Sequence, residues 1–427
     1  MIKIFEDIKN IDKTLLFNRS LSASGVEDIV SDIIANVRSR GDEALFEYTE
    51  RFDRAKLTSL EVSKEEIEKA VDEIGEEFMG VLRRAAENIE AFHKRQVRNS
   101  FIINEKNGVV TGQKVIPLAK VGIYVPGGTA AYPSSVLMNA IPAKLAGVGE
   151  IVMVSPASGG KIAPAILAAA HVAGVDRVFA LGGAQAVAAL AYGTRSVPMV
   201  DKIVGPGNAF VAEAKRQVYG QVAIDMIAGP SEILVIADKN SNPSYVAADM
   251  LSQAEHDKNS TAVLITDSID LANKVSAELE RMIPLLPRAE IARASVDNNG
   301  KIIVTDDLIE AIELSNDIAP EHLELCLDDP FAVLDRVKNA GSVFMGRYCP
   351  EALGDYFAGP NHTLPTSGTA RFSSPLSVDD FVKKMQYTYF TKDALADVAD
   401  DVMAFAEKEG LSAHARSVGV RKGTPSR

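Results

Sequence analysis

The sequence predicts an α/β protein that contains two parallel-sheet units, an N-terminal helical region and an all-helical C-terminal tail. Three observations support this fold class. First, the chain has 427 residues, which is more than one ordinary core holds, so two or three domains are expected. Second, its central part alternates short apolar runs with helical segments, the pattern of parallel sheets that are covered on both faces. Third, the segments before and after this part have helical periodicity.

The N-terminal part is predicted to be an arm followed by helices. Residues 1–20 are assigned to the arm, and residues 21–118 to a helical region that packs with the second α/β unit. Apolar residues recur three and four positions apart over 24–52, which predicts an amphipathic helix. A second helix is predicted over 63–98, because it opens at Ser63 with the S-x-x-E pattern of a capping box.

Two Rossmann-like units follow, the first over residues 119–231 and the second over 232–375. In each, strand-like apolar runs alternate with predicted helices, so parallel strands with right-handed crossovers are expected. The Gly-Pro-Ser sequence at 229–231 marks the break between them. The tail over 376–427 has a helical pattern only. An all-helical end on an α/β body suggests an appendage that docks elsewhere, for example on a second subunit.

Composition and charge argue against several classes of protein. The net charge is −13, and an acidic chain repels phosphate backbones and anionic membranes, so neither nucleic acid nor a membrane is an expected partner. The two cysteines do not make a disulfide framework, and the N-terminus has no apolar signal core. The apolar stretches are shorter than the roughly 20 residues that span a bilayer. The expected location is the cytoplasm.

Potential metal ligands occur mainly in the C-terminal half. Gln253 and His256 are three residues apart on a predicted helix and therefore share a face. Asp355 and His362 lie in one segment, and His414 lies in the tail. A zinc site needs about four N, O or S ligands, and no CxxC or HExxH spacing is present to identify one. Taken singly, each histidine is more simply explained as a surface or core residue.

Two further features could carry chemistry. Glu321 and His322 are adjacent at the start of a predicted strand, and an acid beside an imidazole could supply two proton acceptors for two steps. A solvated turn would explain the same pair. Of the cysteines, Cys326 lies in a buried apolar run and favours inert packing, whereas Cys349 lies in a loop and stays open as a nucleophile.

Three glycine-rich loops each follow a predicted strand and precede a helix, namely YVPGGTAAYPSS, LGGAQA and IVGPGN. Small residues let a ligand approach the backbone, and a helix N-terminus favours a pyrophosphate. None of the loops is GxGxxG, since the nearest, GPGNAF, places Phe210 where the third glycine belongs. Tight turns explain these glycines about as well as a cofactor does.

The order of the motifs is more specific than any one of them. It runs from KVGIYVPGGTAAYPSS through LGGAQAVAALAYGT, VDKIVGPGNAFVAEAK, IDMIAGPSEILVIAD, LSQAEHD, IAPEHLE and GDYFAGPNHTLPTSGTARFSSPLSV to EGLSAHA. This series closely resembles the histidinol dehydrogenase family, and the resemblance covers nearly the whole chain from about residue 20.

The resemblance implies a reaction and its residues. L-Histidinol would be oxidised through L-histidinaldehyde to L-histidine, the last step of histidine biosynthesis, with reduction of two NAD and one zinc ion per active site. The implied zinc ligands are Gln253, His256, Asp355 and His414. The implied acid–base residues are Glu321 and His322. The implied NAD residues, in the first α/β unit, are Tyr124, Gln185 and Asn208. The implied substrate contacts are Ser231, His362, Glu409, His322 and the four zinc ligands.

The expected mechanism follows from these roles. His322 would take the alcohol proton, and Glu321 would activate water for the second oxidation. Zinc would orient the substrate by binding its imidazole and amino nitrogens. The resemblance also implies a homodimer with intertwined subunits, in which His414 reaches the zinc of the partner chain.

Three alternatives remain at this point. The substrate could be another polar alcohol, such as a sulfonated diol. The protein could be a zinc hydrolase with Glu321 as its base, which would form no NADH. It could also be a non-catalytic nucleotide-binding module, in which replacing His322 would change only stability.

Overall fold

The computed structural model describes residues 2–6, 25–127 and 131–422. The chain forms two compact units, and each is described by itself. The first unit comprises Met1–Gln96 and Leu118–Phe381, and the second comprises Val97–Pro117 and Val382–Arg427. Most of the predicted arm lies outside the described residues.

The elements before residue 118 are β1 Lys3–Phe5, α1 Glu27–Arg40, α2 Asp42–Asp53, α3 Lys64–Ile74, α4 Glu76–His93, β2 Phe101–Ile103 and β3 Val109–Pro117. Each of the two long helices that the sequence predicts is divided by a glycine. Gly41 has φ 57° and Gly75 has φ 78°, conformations that glycine adopts without the steric cost of a side chain. The capping box at Ser63 is confirmed, because its side chain accepts from Glu66 N and Glu66 accepts from Ser63 N.

The first sheet has five parallel strands in the order β6-β5-β4-β7-β8. Its strands are β4 Lys120–Tyr124, β5 Glu150–Ser155, β6 Arg177–Ala180, β7 Lys202–Val204 and β8 Ala223–Ile224. Its helices are α5 Pro133–Ala146, α6 Pro164–Ala173, α7 Gly183–Tyr192 and α8 Ala209–Val218. The strand order reverses between β4 and β7, which is where open parallel sheets usually bind ligands, beyond the carboxyl ends of the strands.

The helices α1–α4 pack mainly on this first sheet, which corrects the expectation that they pack with the second α/β unit. Val30 and Leu45 share a core with Phe179 and Val187. Helix α7 explains this packing, because it is apolar and buried along almost its whole length. Its side away from the sheet is covered by α1 and α2. Helix α4 also contacts the later half of this unit, where Asn88 Nδ2 donates to Phe357 O at 2.8 Å.

The second sheet has six parallel strands in the order β1-β11-β10-β9-β12-β13. Its further strands are β9 Glu232–Ala237, β10 Thr261–Thr266, β11 Lys301–Val304, β12 His322–Cys326 and β13 Ser342–Met345. The helices are α9 Pro243–Ala254, α10 Ile269–Met282, α11 Ala289–Asn298, α12 Leu308–Ile318, α13 Phe331–Leu334 and α14 Glu351–Leu353. The predicted parallel sheets are thus confirmed, with β1 of the predicted arm as an added edge strand.

The second compact unit corrects two helical predictions. Its strands β2, β3 and β14 Val382–Phe390 form an antiparallel sheet in the order β14-β3-β2, so neither the region 21–118 nor the tail from 376 is wholly helical. The sequence VKKMQYTYF of β14 is rich in aromatic and β-branched residues, which favour strands. The predicted helices of the tail are present as α15 Lys392–Lys408 and α16 Ser412–Lys422.

Among the described residues, no helix combines the length and apolar character that crossing a membrane requires.

Candidate active site

The acid–base pair predicted from the sequence lies at the amino edge of the second sheet. His322 is the first residue of β12, and it is in register with Ile233 of β9 and Ser342 of β13. Because α9 runs back from the carboxyl edge, its C-terminal residues reach this same edge. The polar side chains of β12, α9 and the segment after Pro350 therefore meet there.

The His322 ring is buried and has one free ring nitrogen. Nδ1 lies 2.9 Å from Glu232 O, and since a carbonyl oxygen only accepts, Nδ1 carries the hydrogen in this contact. Nε2 is buried and has no hydrogen-bond partner among the described residues. In its neutral form, the ring therefore offers the lone pair of Nε2 as a base.

Carboxylates surround His322. Glu321 Oε2 lies 3.7 Å from Nδ1, while Glu351 Oε1 and Asp355 Oδ1 lie 3.9 and 3.7 Å from Nε2. Burial alone would lower the pKa of His322, but the negative charges of these groups raise it to about 10. The site is thus strongly negative and suited to a cation.

Glu321 is a buried carboxyl held by the backbone. Its Oε2 accepts from Glu232 N at 2.8 Å. Burial raises the pKa of Glu321 to about 8, although the neighbouring charge of His322 opposes this rise. A carboxyl with a pKa near neutrality can both accept and return a proton.

Glu351 is a site residue that the sequence analysis missed. It is 2% exposed, its Oε1 accepts from Gln253 Nε2 at 2.5 Å and its Oε2 accepts from Ser252 Oγ at 2.8 Å. Burial, together with the charge of Asp355, raises the pKa of Glu351 to about 7. The four-residue spacing between Glu351 and Asp355, typical of one helix face, was the available signal.

The predicted residues Asp355 and His362 lie beside this pair. Asp355 is in a turn of π-helix, Gly354–Ala358, a feature that is frequent at functional sites. Burial would raise the pKa of Asp355, but its interaction with the neighbouring His322 and the charge of His362 lower it. His362 Nδ1 lies 2.9 Å from Asp355 O, and its Nε2 lies 3.3 Å from Ser135 Oγ on α5. His362 therefore links the two α/β parts.

His256 and Ser231 flank the site. His256 follows α9, and its backbone N–H donates to Gln253 O at 3.1 Å. Burial lowers the pKa of the His256 ring, while the negative charge of Asp355 opposes this change. Ser231 immediately precedes β9, and its carbonyl accepts from Thr261 N at 3.0 Å.

The donor set fits a metal ion. Ligand atoms of His322, Glu351 and Asp355 lie within 4.8 Å of one another. Gln253 adds an orphaned atom, because its Nε2 is held by Glu351 and its buried Oε1 has no hydrogen-bond partner among the described residues. A buried oxygen without a partner is costly unless a cation or another donor satisfies it.

Two of the predicted substrate and zinc residues belong to the second compact unit. Glu409 is the C-cap residue of α15, and His414 lies in α16; both are exposed within this chain. Their part in the site stays a prediction.

The three predicted NAD residues lie at the carboxyl edge of the first sheet. Tyr124 ends β4, and its hydroxyl accepts from Gly183 N at 3.0 Å. Gln185, in the first turn of α7, is 1% exposed, and neither of its amide atoms has a hydrogen-bond partner in the described part of the chain. Asn208 caps α8, because its Oδ1 accepts from Phe210 N and Val211 N. The site thus combines neutral polar groups.

The two free cysteines differ in their surroundings. Cys326 is buried in β12, and burial raises the pKa of its thiol, which favours the predicted inert role. Cys349 lines a small cavity of about 120 Å³ together with Asp355 and His362. This cavity provides room for a small ligand beside the site.

Comparisons with known proteins agree with this geometry. The family model of histidinol dehydrogenase matches residues 17–422. A histidinol dehydrogenase of Bacillus cereus is 55% identical over 421 residues, 98% of each chain, and that of Syntrophotalea carbinolica is 57% identical over 399 residues, 93% of each chain. A crystal structure of histidinol dehydrogenase from Elizabethkingia anophelis has a TM-score of 0.93 and 38% identity, with 99% and 98% coverage. The chain belongs to the histidinol dehydrogenase family, which confirms the resemblance.

Proposed function

We propose that this member of the histidinol dehydrogenase family oxidises L-histidinol through L-histidinaldehyde to L-histidine, reducing two NAD. The single observation that carries the proposal is His322. Its Nε2 is a buried, unpartnered base beside a cluster of groups that fits a cation. An NAD-linked oxidation of an alcohol needs such a base, because the alcohol must lose a proton as well as a hydride.

Zinc is the metal that the family implies, and we assign Gln253, His256 and Asp355 as its ligands from the first compact unit. When bound, zinc would supply the positive charge that holds the nitrogens of the substrate and offsets the carboxylates around them. Glu351 orients Gln253, since it occupies the amide nitrogen and leaves Oε1 for coordination.

In the first oxidation, His322 Nε2 takes the hydroxyl proton while the alcohol carbon gives its hydride to NAD. The Nδ1 contact with Glu232 O fixes the ring and its tautomer during this transfer. The products of the step are the aldehyde, NADH and a protonated imidazole.

In the second oxidation, water adds to the aldehyde, and the hydrate gives a hydride to the second NAD. Glu321 is the group that accepts the proton of this water, because its raised pKa of about 8 makes it a stronger base than an ordinary carboxylate. Its hydrogen bond from Glu232 N keeps it in place beside His322.

The remaining polar groups bind and orient. His362 lines the small cavity beside Asp355 and would contact the substrate, as would Ser231. Tyr124, Gln185 and Asn208 would bind NAD at the carboxyl edge of the first sheet, where the unpartnered amide of Gln185 offers both a donor and an acceptor.

The first test is NADH formation from L-histidinol, before and after chelation and after zinc is added back. Two NADH per histidinol, lost on chelation and restored by zinc, is the expected result. His322→Asn should abolish turnover, while His171→Asn, an exposed histidine on α6, should not. NADH from a different polar alcohol only would remove the substrate assignment, and no NADH from any alcohol would overturn the dehydrogenase assignment.

We also propose that the protein is a homodimer in which Glu409 and His414 complete the site of the partner chain. Mixing two inactive variants, His322→Asn and His414→Ala, tests this. If His414 acts in the partner's site, mixed dimers contain one intact site and activity returns. If it acts within its own chain, every site in the mixture lacks one group, and activity stays absent.

A further inference from the structure

Asp53 reaches the carboxyl edge of the first sheet from the N-terminal helices. It is the last residue of α2, and its Oδ1 lies within 3.4 Å of where a side chain at Gly182 would begin. Its other oxygen, Oδ2, is buried and has no hydrogen-bond partner among the described residues.

Gln185 and Tyr124 both lie against the backbone of Gly183, the residue that follows Gly182. The Tyr124 hydroxyl accepts from Gly183 N, and Gln185 Oε1 lies within 2.7 Å of the position of a side chain on Gly183. The negative charge of Asp53 also acts on the Tyr124 hydroxyl, whose pKa burial raises to about 12. Asp53, Tyr124 and Gln185 therefore form one polar cluster around Gly182 and Gly183.

This cluster contains more buried polar atoms than it can satisfy. Both amide atoms of Gln185 and one oxygen of Asp53 lack partners within the described chain, and each such atom costs free energy when it is buried. No donor offsets the burial of Asp53, which is why the pKa of its carboxyl is raised. Gly182 also leaves no space for a side chain, since one would meet Pro156 at 2.6 Å, so the close packing of Asp53 and Pro156 on this loop requires glycine here.

We propose that Asp53 is a cofactor-binding residue that accepts a hydrogen bond from a ribose hydroxyl and makes the site select NAD over NADP. This inference rests on the proposed function only in that the first sheet binds the dinucleotide. A carboxylate is an acceptor without a donor, so it pairs with a hydroxyl and repels a phosphate. In dinucleotide-binding α/β folds, an acidic residue commonly pairs with a ribose hydroxyl, and that is the hydroxyl that NADP carries as a phosphate.

The test is direct titration of the zinc-loaded protein with NAD and with NADP, in parallel with steady-state rates. Asp53→Asn keeps the shape and removes the charge. It should weaken NAD binding about 10-fold, the typical loss for a hydrogen bond to a charged group. The ratio of NAD affinity to NADP affinity should fall by at least the same factor. Asp53→Glu, which retains the charged acceptor, should keep the preference. The KM for histidinol should not change.

Asp42 provides a matched control, because it lies at the other end of the same helix and its carboxylate is already paired with Ser196 Oγ at 2.7 Å. Asp42→Asn should lower thermal stability and leave the ratio of NAD to NADP affinity unchanged. An unchanged ratio in Asp53→Asn would overturn the proposal, as would an equal change in Asp42→Asn. A wild type that binds NAD selectively through Asp53 but does not oxidise histidinol would refute the proposed function and support this one.

Discussion

The two parallel sheets place their functional groups at opposite edges. The first sheet follows the common rule, since Tyr124, Gln185 and Asn208 lie beyond the carboxyl ends of its strands. The second sheet departs from it, because His322 is the first residue of its strand. The proposed acid–base residues thus lie at the amino edge of one sheet, and the proposed cofactor residues lie at the carboxyl edge of the other.

The edges also differ in charge. At the first sheet, the three residues assigned from the family resemblance are neutral, and Asn208 caps helix α8; the proposed Asp53 adds a single carboxylate beside them. At the second sheet, three carboxyl groups, those of Glu321, Glu351 and Asp355, lie around the imidazole of His322, and all four groups carry shifted pKa values. Because shifted pKa values mark sites of proton transfer, the comparison assigns recognition to the first edge and acid–base chemistry to the second.

The largest expected effect is at the second edge. Replacing Glu321 by Gln should lower the rate of histidinaldehyde oxidation by about 10²- to 10⁴-fold, the usual contribution of a general base, and leave NAD binding unchanged. Stopped-flow measurement with aldehyde as substrate separates this step from the alcohol step. Glu278→Gln, which changes a partly exposed carboxylate on α10 that pairs with Arg281, is the control. A loss of NAD affinity in Glu321→Gln would contradict the assignment of cofactor binding and acid–base chemistry to different sheet edges.

A buried ion pair gives the next largest effect, at the first edge. Lys215 and Asp225 are paired and almost fully buried, and they hold Gly205 from both sides: Lys215 donates to its carbonyl at 3.0 Å and Asp225 accepts from its N–H at 2.7 Å. Lys215→Met leaves a buried carboxylate alone and should destabilise the fold by about 3–5 kcal/mol. Denaturant unfolding measures this.

The same variant should affect the cofactor more than the substrate. Gly205 packs so closely on β4 that a side chain there would begin 2.1 Å from Tyr124 O. If loss of the ion pair lets Gly205 move, we expect Tyr124 and the nearby Asn208 to move with it. The KM for NAD should rise while the KM for histidinol holds. Arg347→Met, which breaks an ion pair with Asp238 beside the second sheet, should lower stability without raising the KM for NAD. An equal rise of the KM for NAD in both variants would contradict the assignment of cofactor binding to the first sheet.

A smaller effect is expected at Glu351. Glu351→Gln should weaken zinc binding about 10- to 100-fold, as the loss of a residue that orients a metal ligand typically does. Gln253 then loses the charged acceptor that fixes its amide, because the amide oxygen of a glutamine is a neutral and weaker acceptor. Competition with a chromophoric chelator gives the zinc affinity. Unchanged affinity in the variant would exclude Glu351 from the metal site.

The sequence predicted the parallel sheets well, because short apolar strands and helices alternate clearly in it. It failed at β14, whose pairing with β3 joins residues more than 260 positions apart and leaves only a weak local signal. The aromatic and β-branched residues of VKKMQYTYF favoured a strand, but the segment was assigned to the helical tail over 376–427. Local pattern alone could not place this unit.

The candidate site was predictable only through the family resemblance. Glu321 takes its position from the backbone of Glu232, and the two are 89 residues apart in the chain. Such gathering by the fold is invisible in one sequence. Glu351 was missed because it precedes Asp355 in a segment without strand or long helix, where only its four-residue spacing marked it.

The smallest expected effect concerns acid stability and again separates the edges. Burial alone would raise the pKa of Asp42, but hydrogen bonds from Thr194 and Ser196 and the charge of Arg195 lower it. A group with a lowered folded-state pKa stabilises fully above its unfolded value of about 4 and loses that contribution as the pH falls further.

Asp42→Asn should therefore cost about 1–2 kcal/mol at pH 7 and much less at pH 3, measured by chemical unfolding at both values. Since Asp42 is not one of the residues assigned to either functional edge, the pH profile of histidinol oxidation should be the same in this variant as in the wild type. A shifted activity profile would mean that the N-terminal helices tune the catalytic groups. The acid–base chemistry would then depend on both sheets, rather than on the amino edge of the second alone.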